Sequence, residues 1–128
     1  MSLVLTFQRS AVTGAPIEHL PFEQVAYWSE LQQFFDFIRA QDAGMLSLCW
    51  GAMASLYHFH DVPKHITKQK EFGVFPHQVL SPSHILAQAL PHTVGIPVSR
   101  HTTWKVGHIL PLVTAFCTYY CMRPKFLH

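Results

Sequence analysis

From Phe22 onward, apolar residues recur at three- and four-residue intervals, through Val25, Trp28, Leu31, Phe35 and Ile38, while Glu23, Glu30, Gln32, Asp36 and Arg39 fall off that stripe. This spacing predicts an amphipathic helix that starts near Pro21 and ends at Asp42-Ala43-Gly44. The pattern then changes. Leu46-Ser47-Leu48 is a short apolar run, read as a buried strand, and Gly51, Met53, Leu56, Tyr57 and His60 resume helical spacing until Asp61-Val62-Pro63, where the proline pushes its predecessor out of the helical region. Upstream, residues 11–18 read as a strand end running into a tight loop at Gly14 and Pro16. The order strand, helix, strand, helix predicts a parallel sheet covered by helices, an α/β fold.

Beyond residue 63 the pattern is more broken. A lysine-bearing loop is expected first, then two short β segments, Phe72-Gly73-Val74-Phe75 and His77-Gln78-Val79-Leu80. A proline-punctuated stretch at residues 81–84 and a helical turn through Leu86 and Leu90 follow, and Ile96 to Thr102 reads as a strand-to-loop junction. Residues 1–10 stay unassigned, and no internal repeat is present.

The chemistry of the chain concentrates at Cys49, which falls at the turn between the Leu46–Leu48 strand and the helix opened by Gly51. A thiol on such an elbow projects from the carboxyl edge of a sheet, and the amides of the helix start can lower its pKa and cradle an oxyanion. On spacing alone a second reading stands beside the nucleophile, that of a buried structural cysteine.

Composition narrows the classes. The chain is 128 residues long with 49% apolar residues, enough for one domain with a core. Nine Lys and Arg against seven Asp and Glu, with no basic run, argue against nucleic acid as a partner. Three cysteines without disulfide-framework or zinc-knuckle spacing fit a reducing, cytoplasmic setting, and the N-terminal residues lack a signal-peptide pattern. Of the ten histidines, His58 and His60 face different ways on a helix and Pro63 separates His58 from His65, so no metal site is expected. The apolar tail from Trp104 to His128 contains a 17-residue run, Val106 to Met122, that includes His108 and Pro111; this is short for a membrane span, and no membrane partner is expected.

Taken together, several motifs resemble the homoserine O-acyltransferase family of methionine biosynthesis, whose members are also called homoserine trans-succinylases. They are Thr13-Gly14-Ala15-Pro16-Ile17-Glu18, the run from Phe22 to Trp28, the Cys49-Trp50-Gly51-Ala52 elbow, Gly73-Val74-Phe75, and Ser99-Arg100-His101-Thr102, in the family's order and at about its spacing. The resemblance covers roughly residues 11–103. It implies the flavodoxin-like parallel sheet of the class I glutamine amidotransferase-like superfamily, here incomplete at both ends.

The resemblance also implies roles. Cys49 would accept an acyl group from acyl-CoA as a thioester and pass it to the hydroxyl of L-homoserine, with no bound cofactor and acyl-CoA as co-substrate. Lys70 aligns with the family's substrate-binding lysine and could hold a carboxylate; without the family frame it reads as a solvated loop lysine. Ser99 aligns with a serine of the homoserine pocket, and Arg100 and His101 are substrate-loop candidates. Glu18 matches the position tied to donor choice, where a carboxylate would repel succinyl-CoA and favour acetyl-CoA; the alternative is a solvated loop residue.

Departures from the family are expected to matter. Met53 and Val98 stand where the family has Gln and His, and the His-Pro-Glu segment that carries the family's general base and its orienting acid is absent from these 128 residues. The chain is therefore expected to be a fragment, with residues 11–103 as a partial acyltransferase core, residues 1–10 and 104–128 unassigned and translated out of frame, and little or no turnover of its own. A glutamine-cleaving hydrolase of the same superfamily and a non-catalytic remnant that dimerises through exposed apolar faces are the competing readings; a homodimer is the assembly to test.

Overall fold

A computed structural model describes residues 9–41, 43–79, 82–83, 87–105 and 122–124. The chain divides into two compact units, Met1–Pro63 and Lys64–His128.

The first unit is built on a strand-helix-strand crossover. Strands β1 (Arg9–Val12) and β2 (Gly44–Ser47) pair in parallel from Arg9 opposite Gly44 to Val12 opposite Ser47. Helix α1 (Trp28–Ala40) connects them, and helix α2 (Cys49–His60) follows β2 after a single residue. Parallel neighbours need such a crossover, since a tight turn can only reverse the chain. The expected α/β arrangement with a small parallel sheet is present.

Two expectations for this unit need correction. The helix begins at Trp28, six residues later than the apolar stripe suggests, because Phe22–Gln24 forms one 3-10 turn and Val25 is extended. Phe22, Val25 and Trp28 are nevertheless all buried. Successive three-residue turns achieve this, with the Val25 N–H donating to the Phe22 carbonyl at 3.0 Å and the Trp28 N–H to the Val25 carbonyl at 2.9 Å. Spacing of three fits either conformation, so the stripe alone could not separate them. Strand β2 ends at Ser47, and Leu46 and Leu48 remain 39% and 40% exposed. A parallel strand is buried when it is covered on both faces; among the described residues β2 has one neighbouring strand, β1.

Aromatic packing joins the two helices. The Phe22 ring stacks on Tyr57 with centroids 4.6 Å apart and on Trp28 at 5.3 Å. The Tyr57 hydroxyl donates to the Glu23 carboxylate, and this bond holds the tyrosine's pKa above its ordinary value. Further along, His58 Nε2 lies 2.8 Å from Asp36 Oδ1, and Phe35 lies fully buried between α1 and α2, its ring 5.6 Å from that of Phe59. Helix α2 ends as expected at His60, with Asp61 in the left-handed region turning the chain out ahead of Pro63.

The second unit is antiparallel, which the parallel-sheet expectation did not include. A 15-residue strand, β3 (His65–Val79), pairs with β4 (Thr93–Thr103), and β5 (Met122–Pro124) adds to the other edge of β3 at His77–Val79. The predicted lysine-bearing loop is thus the start of β3, and the two predicted β segments are one strand. Pro76 separates the two predicted segments, yet it lies within the β3–β4 ladder opposite Gly95 and one residue before the β5 pairing begins, where no ladder bond to β5 is lost. Likewise, Ser99, Arg100 and His101 lie within β4, where a loop was expected. The turn at residues 87–90, closed by the Leu90 N–H on the Ala87 carbonyl at 2.9 Å, falls where a helical turn was predicted, although Leu86 lies outside the described residues. Residues 1–8, 106–121 and 125–128 also lie outside them. No described helix is long and apolar enough to cross a membrane.

Gly51 provides the clearest packing test. A Cβ built there would lie 2.7 Å from the Thr13 carbonyl oxygen and 2.9 Å from that of Val12, so helix α2 sits directly on the chain leaving β1. Replacing a helical glycine by alanine ordinarily stabilises by up to about 1 kcal/mol. Gly51→Ala should do the reverse, costing roughly 1–3 kcal/mol, because backbone carbonyls cannot yield as a side-chain tip can. Chemical denaturation measures this, and an unchanged or raised stability would contradict the packing.

Candidate active site

Strand β2 leads into the site through Leu48, which is extended (φ −126°, ψ 149°) and whose N–H donates to the Val12 carbonyl at 2.8 Å. Cys49 then takes φ +55°, and α2 begins with it. A residue with a Cβ rarely adopts this left-handed conformation, at a cost of roughly 1–2 kcal/mol. The turn is therefore sharp enough to lift the side chain off the strand end, and Cys49 is exposed as a free thiol. The alternative of a buried structural cysteine is not what the geometry shows.

The surroundings of the thiol come from local sequence. Leu48, the residue preceding α2, makes no side-chain capping bond, so no side chain of that residue occupies the first-turn amides beside Cys49. Such amides can stabilise an oxyanion. Next to Cys49, the Trp50 ring is buried against Phe22 and Tyr27. Among the described residues, the indole Nε1 and the hydroxyl of Ser47, at the end of β2, are buried without a hydrogen-bond partner. Neither polar atom was singled out from the sequence, where Ser47 reads as one position of an apolar strand and Trp50 as part of the elbow motif. Glu18 is half-buried on the loop that leaves β1, four residues after Gly14, and that loop runs alongside the elbow.

The remaining candidates sit in the second unit. The β3–β4 register breaks between Ile66, opposite Thr102, and Glu71, opposite Arg100, so residues 67–70 bulge against His101 alone. Lys70 is exposed at the end of this bulge, with Nζ 5.6 Å from the centre of the Phe72 ring. Ser99 is directly across from Phe72. Lys70 and Ser99 are thus gathered around one exposed aromatic side chain. Arg100 differs from Ser99 in its surroundings: it is half-buried and its Nε donates to the Glu71 carboxylate, so its charge is already engaged. His101 is half-buried opposite the bulge.

The family model of homoserine O-succinyltransferase matches residues 6–112. The homoserine O-acetyltransferase of Allorhizobium ampelinum is 51% identical over 96 residues, which cover 75% of this chain and 31% of that protein. The enzymes of the same name from Agrobacterium fabrum and Bacteroides thetaiotaomicron are 48% identical over 96 residues and 44% identical over 99, covering 31% and 32% of their lengths. The chain therefore spans about a third of the length of the curated relatives it matches. With the motif loop after β1, the cysteine elbow and the Lys70–Ser99 strands all inside the matched region, the chain belongs to the homoserine O-succinyltransferase family.

Proposed function

We propose that this chain carries the nucleophile and part of the substrate-contacting surface of a homoserine O-acyltransferase. The observation that carries the reading is the exposed thiol of Cys49 on a left-handed backbone at a strand-helix elbow. In the first step the Cys49 thiolate attacks the carbonyl carbon of an acyl-CoA thioester, a new C–S bond forms, and CoA leaves as its thiolate. In the second, the hydroxyl of L-homoserine gives up its proton to solvent water as its oxygen attacks the acyl-cysteine carbonyl, a C–O bond forms, the C–S bond breaks, and the ester leaves as the Cys49 thiolate is regenerated. Exchange between two thioesters is nearly balanced in energy, so covalent capture divides one acyl transfer into two easier steps. First-turn amides of α2 would meet the negative charge that develops on the carbonyl oxygen.

Lys70 and Ser99 are proposed as contacts to the amino acid, the ammonium to its carboxylate and the hydroxyl to a polar group. Arg100 would act indirectly, through its pair with Glu71, and His101 from the strand opposite the bulge. Glu18 is proposed to set donor choice in favour of acetyl-CoA, because a desolvated carboxylate repels the free carboxylate of a succinyl group. The relatives named homoserine O-acetyltransferase support that choice, and the family description leaves succinyl as its alternative.

Two outcomes test this reading. The 128-residue chain incubated with acetyl-CoA should acquire one acetyl group on Cys49, slowly, and Cys49→Ala should acquire none. No steady formation of O-acetylhomoserine is expected, since a positioned base contributes about 10²- to 10⁴-fold to such a step and the family's His-Pro-Glu segment is not in these residues. Intact-mass and peptide mass spectrometry check the adduct; an acetyl group elsewhere, or equal labelling of the alanine variant, would refute the assignment.

The second concerns the donor. Glu18→Gly should raise the rate of Cys49 acylation by succinyl-CoA relative to acetyl-CoA about tenfold or more, as relief of roughly 1.4 kcal/mol of repulsion corresponds to a factor of ten. An unchanged ratio would place Glu18 outside donor recognition.

A further inference from the structure

Gly14 has no left-handed backbone to explain it: its φ lies outside the positive region, so the position does not demand glycine for conformational reasons. What it does have is a neighbour. A Cβ built on Gly14 would fall 2.7 Å from Cys49 Sγ, closer than real Cβ atoms come, and 3.0 Å from Cys49 Cβ, at the tight end of real contacts, while the Trp50 amide nitrogen stands at 3.8 Å. The space where any other side chain would begin is the space the sulfur occupies.

We infer that Gly14 is a positioning residue for Cys49: the sulfur rests on the bare backbone of the loop after β1, and that seat fixes its rotamer. The inference rests on the acyl-transfer reading only in saying what the positioning is for. Its physical basis is independent. A cysteine at an exposed elbow has three staggered χ1 wells and no hydroxyl-like bond to choose among them. Leaning on Gly14 supplies a van der Waals contact on one side of the sulfur and leaves the other side to solvent, which is where a reagent must approach. The Trp50 amide nitrogen lies 3.8 Å from the same Cβ position, so the loop at Gly14 meets both the sulfur and the start of α2. A misplacement of about 1 Å can cost on the order of 10²-fold in a reaction that depends on such alignment.

The role also separates Gly14 from Gly51. At Gly51 the neighbours of an added Cβ include two backbone carbonyl oxygens, which makes that position a matter of helix placement. At Gly14 the two nearest neighbours are both side-chain atoms of the proposed nucleophile. Substitution at Gly14 should therefore be felt through Cys49, and removing the Cys49 side chain should relieve it.

The test uses the complete 128-residue chain and its Gly14→Ala, Cys49→Gly and doubly substituted variants. Gly14→Ala should lower the thermal midpoint, and the lowering should shrink by at least half in the Cys49→Gly background, because the atoms it collides with are gone. Iodoacetamide labelling, read at the Cys49 peptide so that Cys117 and Cys121 do not contribute, should slow about tenfold or more in Gly14→Ala at an unchanged far-UV circular dichroism spectrum, with a shifted midpoint in the rate-versus-pH profile. Equal midpoint losses in the two backgrounds would overturn the inference. So would coupled stabilities with an unchanged labelling rate and pH profile, which would leave Gly14 a packing residue only. Because alkylation needs neither acyl-CoA nor homoserine, failure of acetyl transfer with these results intact would count against the acyltransferase reading alone.

Discussion

The left-handed backbone of Cys49 is the constraint on which the rest of the first unit depends. A residue with a Cβ holds φ near +55° only when its surroundings leave no cheaper choice. Here β2 is tied to β1 through Leu48 and Val12, and α2 is pressed onto the chain at Val12 and Thr13 through Gly51. The strand end and helix start are thereby both fixed, and the single residue between them absorbs the change of direction. The consequence is chemical: the thiol stands at the surface beside the first turn of a helix, the arrangement that nucleophilic cysteines need.

The energy for holding that conformation comes from packing behind it. All seven residues from Trp50 to Leu56 are buried, and Phe22, Trp28 and Tyr57 form a stacked aromatic group against the same helix. Burying large apolar side chains is worth roughly 1.5–3 kcal/mol each, so a cluster of this size outweighs a local backbone cost of roughly 1–2 kcal/mol. Fold and site are linked in this way: the elbow is strained because α2 is well buried, and α2 is well buried because the strands, the 3-10 turn and α1 present it with apolar neighbours.

The elbow was legible in the sequence because the change from Leu46–Leu48 to the Gly51–His60 spacing coincides with a glycine and a lone cysteine. The end of α2 was equally legible from Pro63. What misled was spacing compatible with two conformations. Phe22, Val25 and Trp28 fit a helix and are met by turns, and Lys68 and Lys70 suggest a loop although an exposed strand accepts lysine readily. Pro76 separates the two predicted segments, yet it lies within the β3–β4 ladder. The antiparallel pairing of β3 with β4 depends on contacts between residues 15 to 38 positions apart, from Gln78–Thr93 to His65–Thr103, which no local pattern records. Neither the engagement of Arg100 by Glu71 nor the fit of Gly14 to the sulfur could be read without coordinates, since both depend on which side chains face each other.

Comparison of Cys49→Gly with Cys49→Ala by chemical denaturation tests the strained elbow most directly. Both variants remove the sulfur, and only glycine relieves the left-handed backbone. The glycine variant should be the more stable by about 1 kcal/mol, after allowing for the larger entropy that glycine loses on folding. An alanine variant of equal or greater stability would show that Cys49 is not held in the conformation on which the account rests.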